Sequence, residues 1–146
     1  MVPNQIAPTL IAHENIPLLL PLISADLAEV IEKHGHGLTT YNEVVEDLRV
    51  AKKQLWVLVP DTEIEAWIIT SIAPSAFGRR LIIDFLSGHD LDALAELSPT
   101  IYDWAIKLGA TELVAYVRPG LRKKLKKYGF HHAYDVVTRP LIGRLN

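Results

Sequence analysis

An aspartate interrupts the most apolar strand-like run of this chain, Leu81-Ile82-Ile83-Asp84-Phe85-Leu86. Carboxylates in apolar surroundings hold their protons more tightly than in water, which suits them to proton abstraction near neutral pH. Two plainer roles stay open for Asp84: pointing to solvent, or pairing with Arg79 or Arg80. Other chemistry-bearing residues fit known arrangements less well. His34/His36 and His131/His132 lack a Cys or carboxylate at ligand spacing, and neighbouring strand residues point to opposite faces, so neither pair reads as a metal site. No nucleophile-elbow glycine pattern surrounds Ser71, Ser75, Ser87 or Ser98, and there is no Walker-type phosphate loop. With no cysteine in the chain, disulfides, thiolate metal sites and a Cys nucleophile are excluded.

The cations Arg122, Lys123, Lys124, Lys126 and Lys127 offer contacts to a nucleic-acid backbone. They also read as the wet face of a surface helix. Nucleic-acid readers interleave aromatics with their bases, and here only Tyr128 and Phe130 follow, at the end of the run. From Glu112 onward eight Lys or Arg face two acids, a net +6, while the first 111 residues hold 15 acids and 7 bases, a net −8. A chain so polarised can meet a polyanion with its basic end or associate head to tail with another copy.

The elements that must position these residues follow from period and punctuation. Gln5 to Ala12 suggests a short first strand. Asn15 can cap a helix whose apolar positions are Leu19, Leu22, Ile23, Leu27, Val30 and Ile31, with Pro17 in its first turn and Pro21 bending or restarting it. Thr40 and Glu43 have capping-box spacing for a second helix reaching Lys53. Gln54 to Pro60 and Glu63 to Ile72 read as strands joined at Asp61-Thr62, Pro74 to Gly78 as a loop, and Arg80 to Leu86 as a third strand. Ser87-Gly88-His89-Asp90 then turns into a third helix, which ends at Leu108-Gly109. Thr111 to Val117 is a further strand, Pro119 opens a basic helix, Gly129 closes it, and a last strand follows.

Meander followed by strand–helix–strand crossovers implies a mixed sheet with helices on its faces, an α/β or α+β architecture. At 146 residues the chain fits a single domain, 1–146, and 49% hydrophobic residues exclude global disorder. The longest apolar runs, Ile16 to Ile23 and Leu55 to Val59, are too short or proline-broken to span a bilayer, so no membrane partner is expected. No basic-then-apolar leader opens the chain, so secretion by a signal peptide is not expected.

Taken with its order of elements, the chain resembles the GNAT N-acetyltransferase family, and more narrowly the short GNAT-like proteins of tailed bacteriophages. The residues that carry this are Trp104, Ala105, Leu108, Gly109, Arg118, Pro119, Gly120, Leu125, Gly129 and Phe130, with Gln54-Leu55-Trp56 and Ser87-Gly88 in support. The resemblance implies a mostly antiparallel central sheet flanked by helices. It implies acetyl-CoA as acyl donor if the site works, and no cofactor otherwise. Leu86, Ser87, Gly88, His89 and Arg118 fall at the cofactor positions, where main-chain amides at a helix N-terminus would hold pyrophosphate. Gly88 is the only glycine there, and Asp90 and Asp92 put negative charge where the phosphates belong. Asp84, ahead of Glu63 and Glu65, is the candidate base. The thiolate-protonating tyrosine of many GNAT enzymes falls on Leu125, leaving Tyr128 as the candidate acid and Tyr116 as a weaker one.

Three functions follow from the resemblance. One is a phage-type GNAT-fold protein without catalysis, a virion or assembly component found in the host cytoplasm and the virion, binding other virion proteins or itself. The second is a working acetyl-CoA-dependent N-acetyltransferase with a variant cofactor loop. The third is a polyanion binder acting through the basic helix.

Overall fold

The computed structural model describes residues 7–35, 37–88 and 99–116, with 123, 125–127, 129–133, 135, 137 and 139–141 beyond them. The chain divides into two compact units, Met1–Tyr116 and Val117–Asn146. In the first unit the elements are β1 (Thr9–Leu10), a 3-10 turn (His13–Asn15), α1 (Ile16–His34), α2 (Tyr41–Arg49), β2 (Gln54–Leu58), β3 (Ala66–Ser75), β4 (Gly78–Gly88), α3 (Pro99–Lys107) and β5 (Ala110–Ala115). The strands form one sheet in the order β1-β2-β3-β4-β5. Pairing is antiparallel from β1 to β4, and β5 joins parallel after the α3 crossover. The α/β class and the mostly antiparallel sheet flanked by helices are as the sequence implied.

Both faces of the sheet are covered, which explains why apolar residues follow one another without alternation in Leu55–Leu58 and Ala66–Ile69. Leu55 and Val57 of β2 and Trp67 and Ile69 of β3 pack with Ile16, Ile23, Leu27 and Ile31 of α1 and Val44 and Leu48 of α2. Trp56, Leu58, Ala66, Ile68 and Leu81 form a second cluster on the opposite face, with Ile101 and Ala105 of α3. Trp56 meets Trp104 of α3 edge to face, with ring centroids 5.3 Å apart.

Local chemistry decides the boundaries. Thr40 caps α2 as expected: its hydroxyl accepts from the Glu43 amide at 3.2 Å, while the Glu43 carboxylate accepts from the Thr39 hydroxyl at 3.1 Å. Asn15 does not cap α1 through its side chain. Its backbone is already helical (φ −93°, ψ −4°) after the 3-10 turn, so the carboxamide makes no cap bond. Pro21 lies within a continuous α1; it offers no N–H to the carbonyl of exposed Pro17, which water can reach. The expected hairpin turn at Asp61-Thr62 is instead a connection over residues 59–65, closed by the Glu65 amide on the Leu58 carbonyl at 2.8 Å. The expected loop at Pro74–Gly78 is a two-residue hairpin turn, Ala76-Phe77, between the paired Ser75 and Gly78. In the second unit, Gly129 (φ +91°) ends the basic helix, with Phe130 N–H on the Leu125 carbonyl at 3.3 Å. The last strand expected after it is not seen among the described residues to Leu141.

Helix α2 stops at Arg49 rather than Lys53 through a Schellman turn. Lys52 N–H bonds the Asp47 carbonyl at 2.8 Å and Ala51 N–H bonds the Leu48 carbonyl at 3.3 Å. The residue in the left-handed position is Ala51 (φ +64°), where glycine is the usual occupant. A Cβ there costs about 1–2 kcal/mol, against roughly 0.5–1 kcal/mol of extra chain entropy for glycine. Ala51→Gly is therefore expected to stabilise the fold by about 0.5–1 kcal/mol, read as a higher urea midpoint at unchanged m-value.

Candidate functional site

The site begins with an irregularity in β4. Ile69 of β3 pairs with Phe85, yet its neighbour Thr70 pairs with Ile83, so Asp84 is an extra residue, a β-bulge. The consequence shows in the packing. Leu81 and Ile83 belong to the α3-side cluster, but Phe85 packs on the α1/α2 side and Leu86 returns to the α3 side. The bulge thus reverses the alternation and puts Asp84 and Phe85 on one face.

The described pairing of β5 with β4 ends at the same level. It runs from Arg79–Ala110 to Ile83–Ala115. Beyond it, Phe85, Leu86, Ser87 and Gly88 keep their β3 partners. From Asp84 to Gly88, β4 has no β5 partner among the described residues, which on the β5 side end at Tyr116.

Asp84 pairs neither with Arg79 nor with Arg80. Arg80 reaches Glu112 of β5 at 3.2 Å. The counter-ion of Asp84 is Lys53, whose Nζ lies 3.3 Å from Oδ2, with the two side chains only 17% and 18% exposed. That contact falls outside hydrogen-bond geometry, so the buried Oδ2 has a charge partner and no hydrogen-bond donor. Lys53 is delivered by the Schellman turn, its amide bonded to the Asp47 carbonyl at 3.1 Å. From the start of β2 its side chain passes over β3 to reach β4. The sequence reading missed this residue by placing it at the end of a helix.

The opposite face at the bulge is fixed by a short polar chain. Fully buried Thr70 accepts from the Trp56 indole at 3.0 Å and donates to the Gln54 side-chain oxygen at 2.9 Å. Thr70 is the partner of Ile83, so these bonds hold the strand against which the bulge forms.

A recess of ≈ 420 Å³ lies between α1 and the far end of the sheet, lined by Leu22, Ile23, Asp26, Ile64, Glu65, Trp67 and Ser87. The Asp26 carboxylate accepts from the Trp67 indole at 2.9 Å, tying α1 to β3. Glu63 lies in an adjoining hollow of ≈ 270 Å³ with Asp61 and Glu65. Both glutamates precede the Ala66–Gly88 pair, at the opposite end of that stretch of β4 from Asp84, and neither joins it. Of the expected cofactor residues, Leu86 packs toward α3, Ser87 opens on the recess, and Gly88 ends β4. His89, Asp90, Asp92, Arg118, Arg122, Lys124 and Tyr128 lie outside the described residues. Leu125 is half-buried; Lys123, Lys126 and Lys127 are exposed. Among the described residues no group of three or more His, Cys, Asp or Glu could hold a metal, and no helix is long and apolar enough to cross a membrane.

No family model and no curated protein matches the sequence. Solved structures match its fold. Ribosomal-protein-alanine N-acetyltransferase from Brucella melitensis biovar Abortus 2308 aligns with a TM-score of 0.67 at 13% identity, over 93% of this chain and 100% of that one. An aminoglycoside acetyltransferase from an uncultured soil metagenomic sample, in complex with sisomicin, aligns at 0.65 and 12% identity over 99% of each chain. A predicted acetyltransferase with acetyl-CoA from Clostridium acetobutylicum aligns at 0.58 and 15% identity, over 93% of this chain and 96% of that one. At these identities what is shared is the fold, that of GNAT acetyltransferases.

Two stability experiments probe the bulge. Thr70→Val removes both bonds of the hydroxyl and strands the Trp56 N–H, for an expected loss of about 1–3 kcal/mol in denaturant unfolding. Lys53→Met strands a half-shielded carboxylate at an expected cost of roughly 2 kcal/mol, most of it recovered in the Lys53→Met/Asp84→Leu double variant. A double-variant loss equal to the sum of the Lys53→Met and Asp84→Leu single losses would show that the pair is not coupled.

Proposed function

We propose that this chain binds an acyl-CoA thioester, acetyl-CoA first among candidates, along this edge of β4 and passes the acyl group to an amine. The observation that carries this reading is the stretch of β4 from Asp84 to Gly88, which lies past the Ile83–Ala115 pair and has no β5 partner among the described residues. Strand edges present main-chain amides and carbonyls that need partners. Pantetheine is a narrow ligand with amide groups of its own, and it suits such an edge as an added strand does. Described residues fit this arm of the donor; the phosphate end falls to residues outside them. The likeness in fold to acetyltransferases, one solved with acetyl-CoA, supports the reading.

The chain's own groups then have limited tasks. A donor laid along β4 from the Gly88 end brings its reactive carbonyl to Asp84. There the carboxylate takes a proton from an incoming ammonium, which frees the amine to attack. Leu125 cannot protonate the departing sulfur. Thiols ionise near pH ~8.5, so the thiolate can leave unaided and take its proton from water. Tyr128 and Tyr116 stay the candidates for that proton, and loss of an acid slows such a reaction by roughly 10²–10⁴ without forbidding it.

A second reading, a binder without turnover, is favoured by the Lys53–Asp84 pair and by Leu125, which together engage the base and omit the acid. A phage-derived virion or assembly role rests on the sequence resemblance alone and gains no support from the solved structures. Polyanion binding through Lys123, Lys126 and Lys127 would show as a steep salt dependence.

Acetyl-CoA is expected to raise the melting temperature saturably, an effect equivalent to about 2.7 kcal/mol at 100-fold excess over Kd. No shift at millimolar acetyl-CoA would rule out this edge of β4 as a donor site. Turnover on a panel of amines can be followed by thiol release without background, because the chain has no cysteine. Binding without thiol release on any amine selects the second reading.

A further inference from the structure

We infer that Lys53 is itself an acyl acceptor: the structure assigns to its Nζ the place that a substrate amine must take beside Asp84. The inference rests on the proposed donor site and goes beyond it by naming a modified residue. General bases work within hydrogen-bond reach of the proton they remove, often more loosely before the donor is bound. Lys53 Nζ lies 3.3 Å from Asp84 Oδ2, an oxygen with no hydrogen-bond donor of its own. Asp84 is the bulged residue and the first of β4 past its last described pair with β5, so a thioester laid along that edge of β4 as proposed arrives next to this amine. Lys53 is held there from both sides of its backbone, by the Schellman turn of α2 and by the start of β2. An amine fixed beside its base needs no second molecule to be captured, and such preorganisation lowers the barrier to its reaction.

The step balances as follows. Asp84 accepts a proton from the Lys53 ammonium, and the neutral amine adds to the thioester carbonyl. The C–N bond forms, the C–S bond breaks, and the sulfur leaves as thiolate, taking up one proton. The products are an amide on Lys53, the free CoA thiol and one proton released to solvent. No oxidant or second reactant is required beyond the acyl-CoA.

Neighbouring lysines provide the control. Lys52 is exposed next to Lys53, as is Lys33 on α1, whereas Lys53 is largely covered. Chemical acetylation by solution collision favours the exposed amines; a donor held along β4 favours Lys53. The experiment incubates the full chain with acetyl-CoA and maps acetyl-lysine by peptide mass spectrometry, alongside a thermal-shift measurement of acetyl-CoA binding. Expected is one acetyl group on Lys53, at least tenfold over Lys52, lost in Asp84→Asn while acetyl-CoA still raises the melting temperature of that variant. Lys53→Arg should bind acetyl-CoA and acquire no label at position 53 or 52. Binding with labelling absent, or with Lys52 labelled as fast as Lys53, overturns the inference and leaves the donor site standing. Absence of binding overturns both.

Discussion

A β-strand alternates its side chains between two faces, so one inserted residue reverses the facing of all that follow. In β4 that residue is Asp84, and the reversal explains several facts together. Leu81 and Ile83 can serve the α3 side while Phe85 serves the α1/α2 side. A carboxylate can stand in the middle of the most apolar strand because the bulge turns it toward Lys53. Twist increases at a bulge, and the last described pair of β5 with β4 is Ile83–Ala115, just before Asp84. Thr70, held between Trp56 and Gln54, keeps β3 in place where the register slips.

Much of this architecture was legible from the residues. The capping box of Thr40 and Glu43, the strand Gln54–Leu58 and the stop at Leu108-Gly109 follow from local chemistry, and local chemistry prevailed. What was hidden depends on partners distant in sequence. A bulge is a relation between two strands, so the run from Leu81 to Leu86 shows an odd aspartate but not the slip beside it. The end of α2 was hidden for the opposite reason, since alanine stands where glycine would have marked the turn, and the helix appeared to reach Lys53. The Asp61-Thr62 turn misled because two good turn residues sit inside a longer connection closed by Glu65. The Ala76-Phe77 turn lacks the Asn-Gly or Asp-Gly pair that advertises such hairpins, and Gly78 alone (φ +135°) supplies the unusual backbone.

Asp84 stands out in the sequence because it interrupts an apolar run, and in the structure it is the bulged residue of β4. The argument from apolar flanks overlooked that a half-buried charge rarely stays without a counter-charge. Arginines close in sequence were the natural candidates, yet four or five residues along a strand span roughly 13–17 Å, and Arg80 is engaged by Glu112. The partner comes instead from two strands away, a distance of about 10 Å that a lysine side chain and its backbone can cover.

That counter-charge bears on the chemistry open to the fold. Fold alone does not confer activity, and here the same two side chains argue both for and against it. For an amine arriving from solution, Lys53 is a competitor already in place, and displacing it means moving a largely covered ammonium away from the carboxylate that compensates it. For Lys53 itself the cost is already met by folding, because the amine and the carboxylate were brought together by α2, β2 and β4. On the proposed reading, a thioester along β4 with Asp84 committed to an internal amine is therefore better disposed to acylate that amine than a free one. Acylation would also remove the positive charge from Lys53 and leave the Asp84 carboxylate without its partner. In this arrangement the first acceptor and the availability of the base for any later one are governed by a single ion pair.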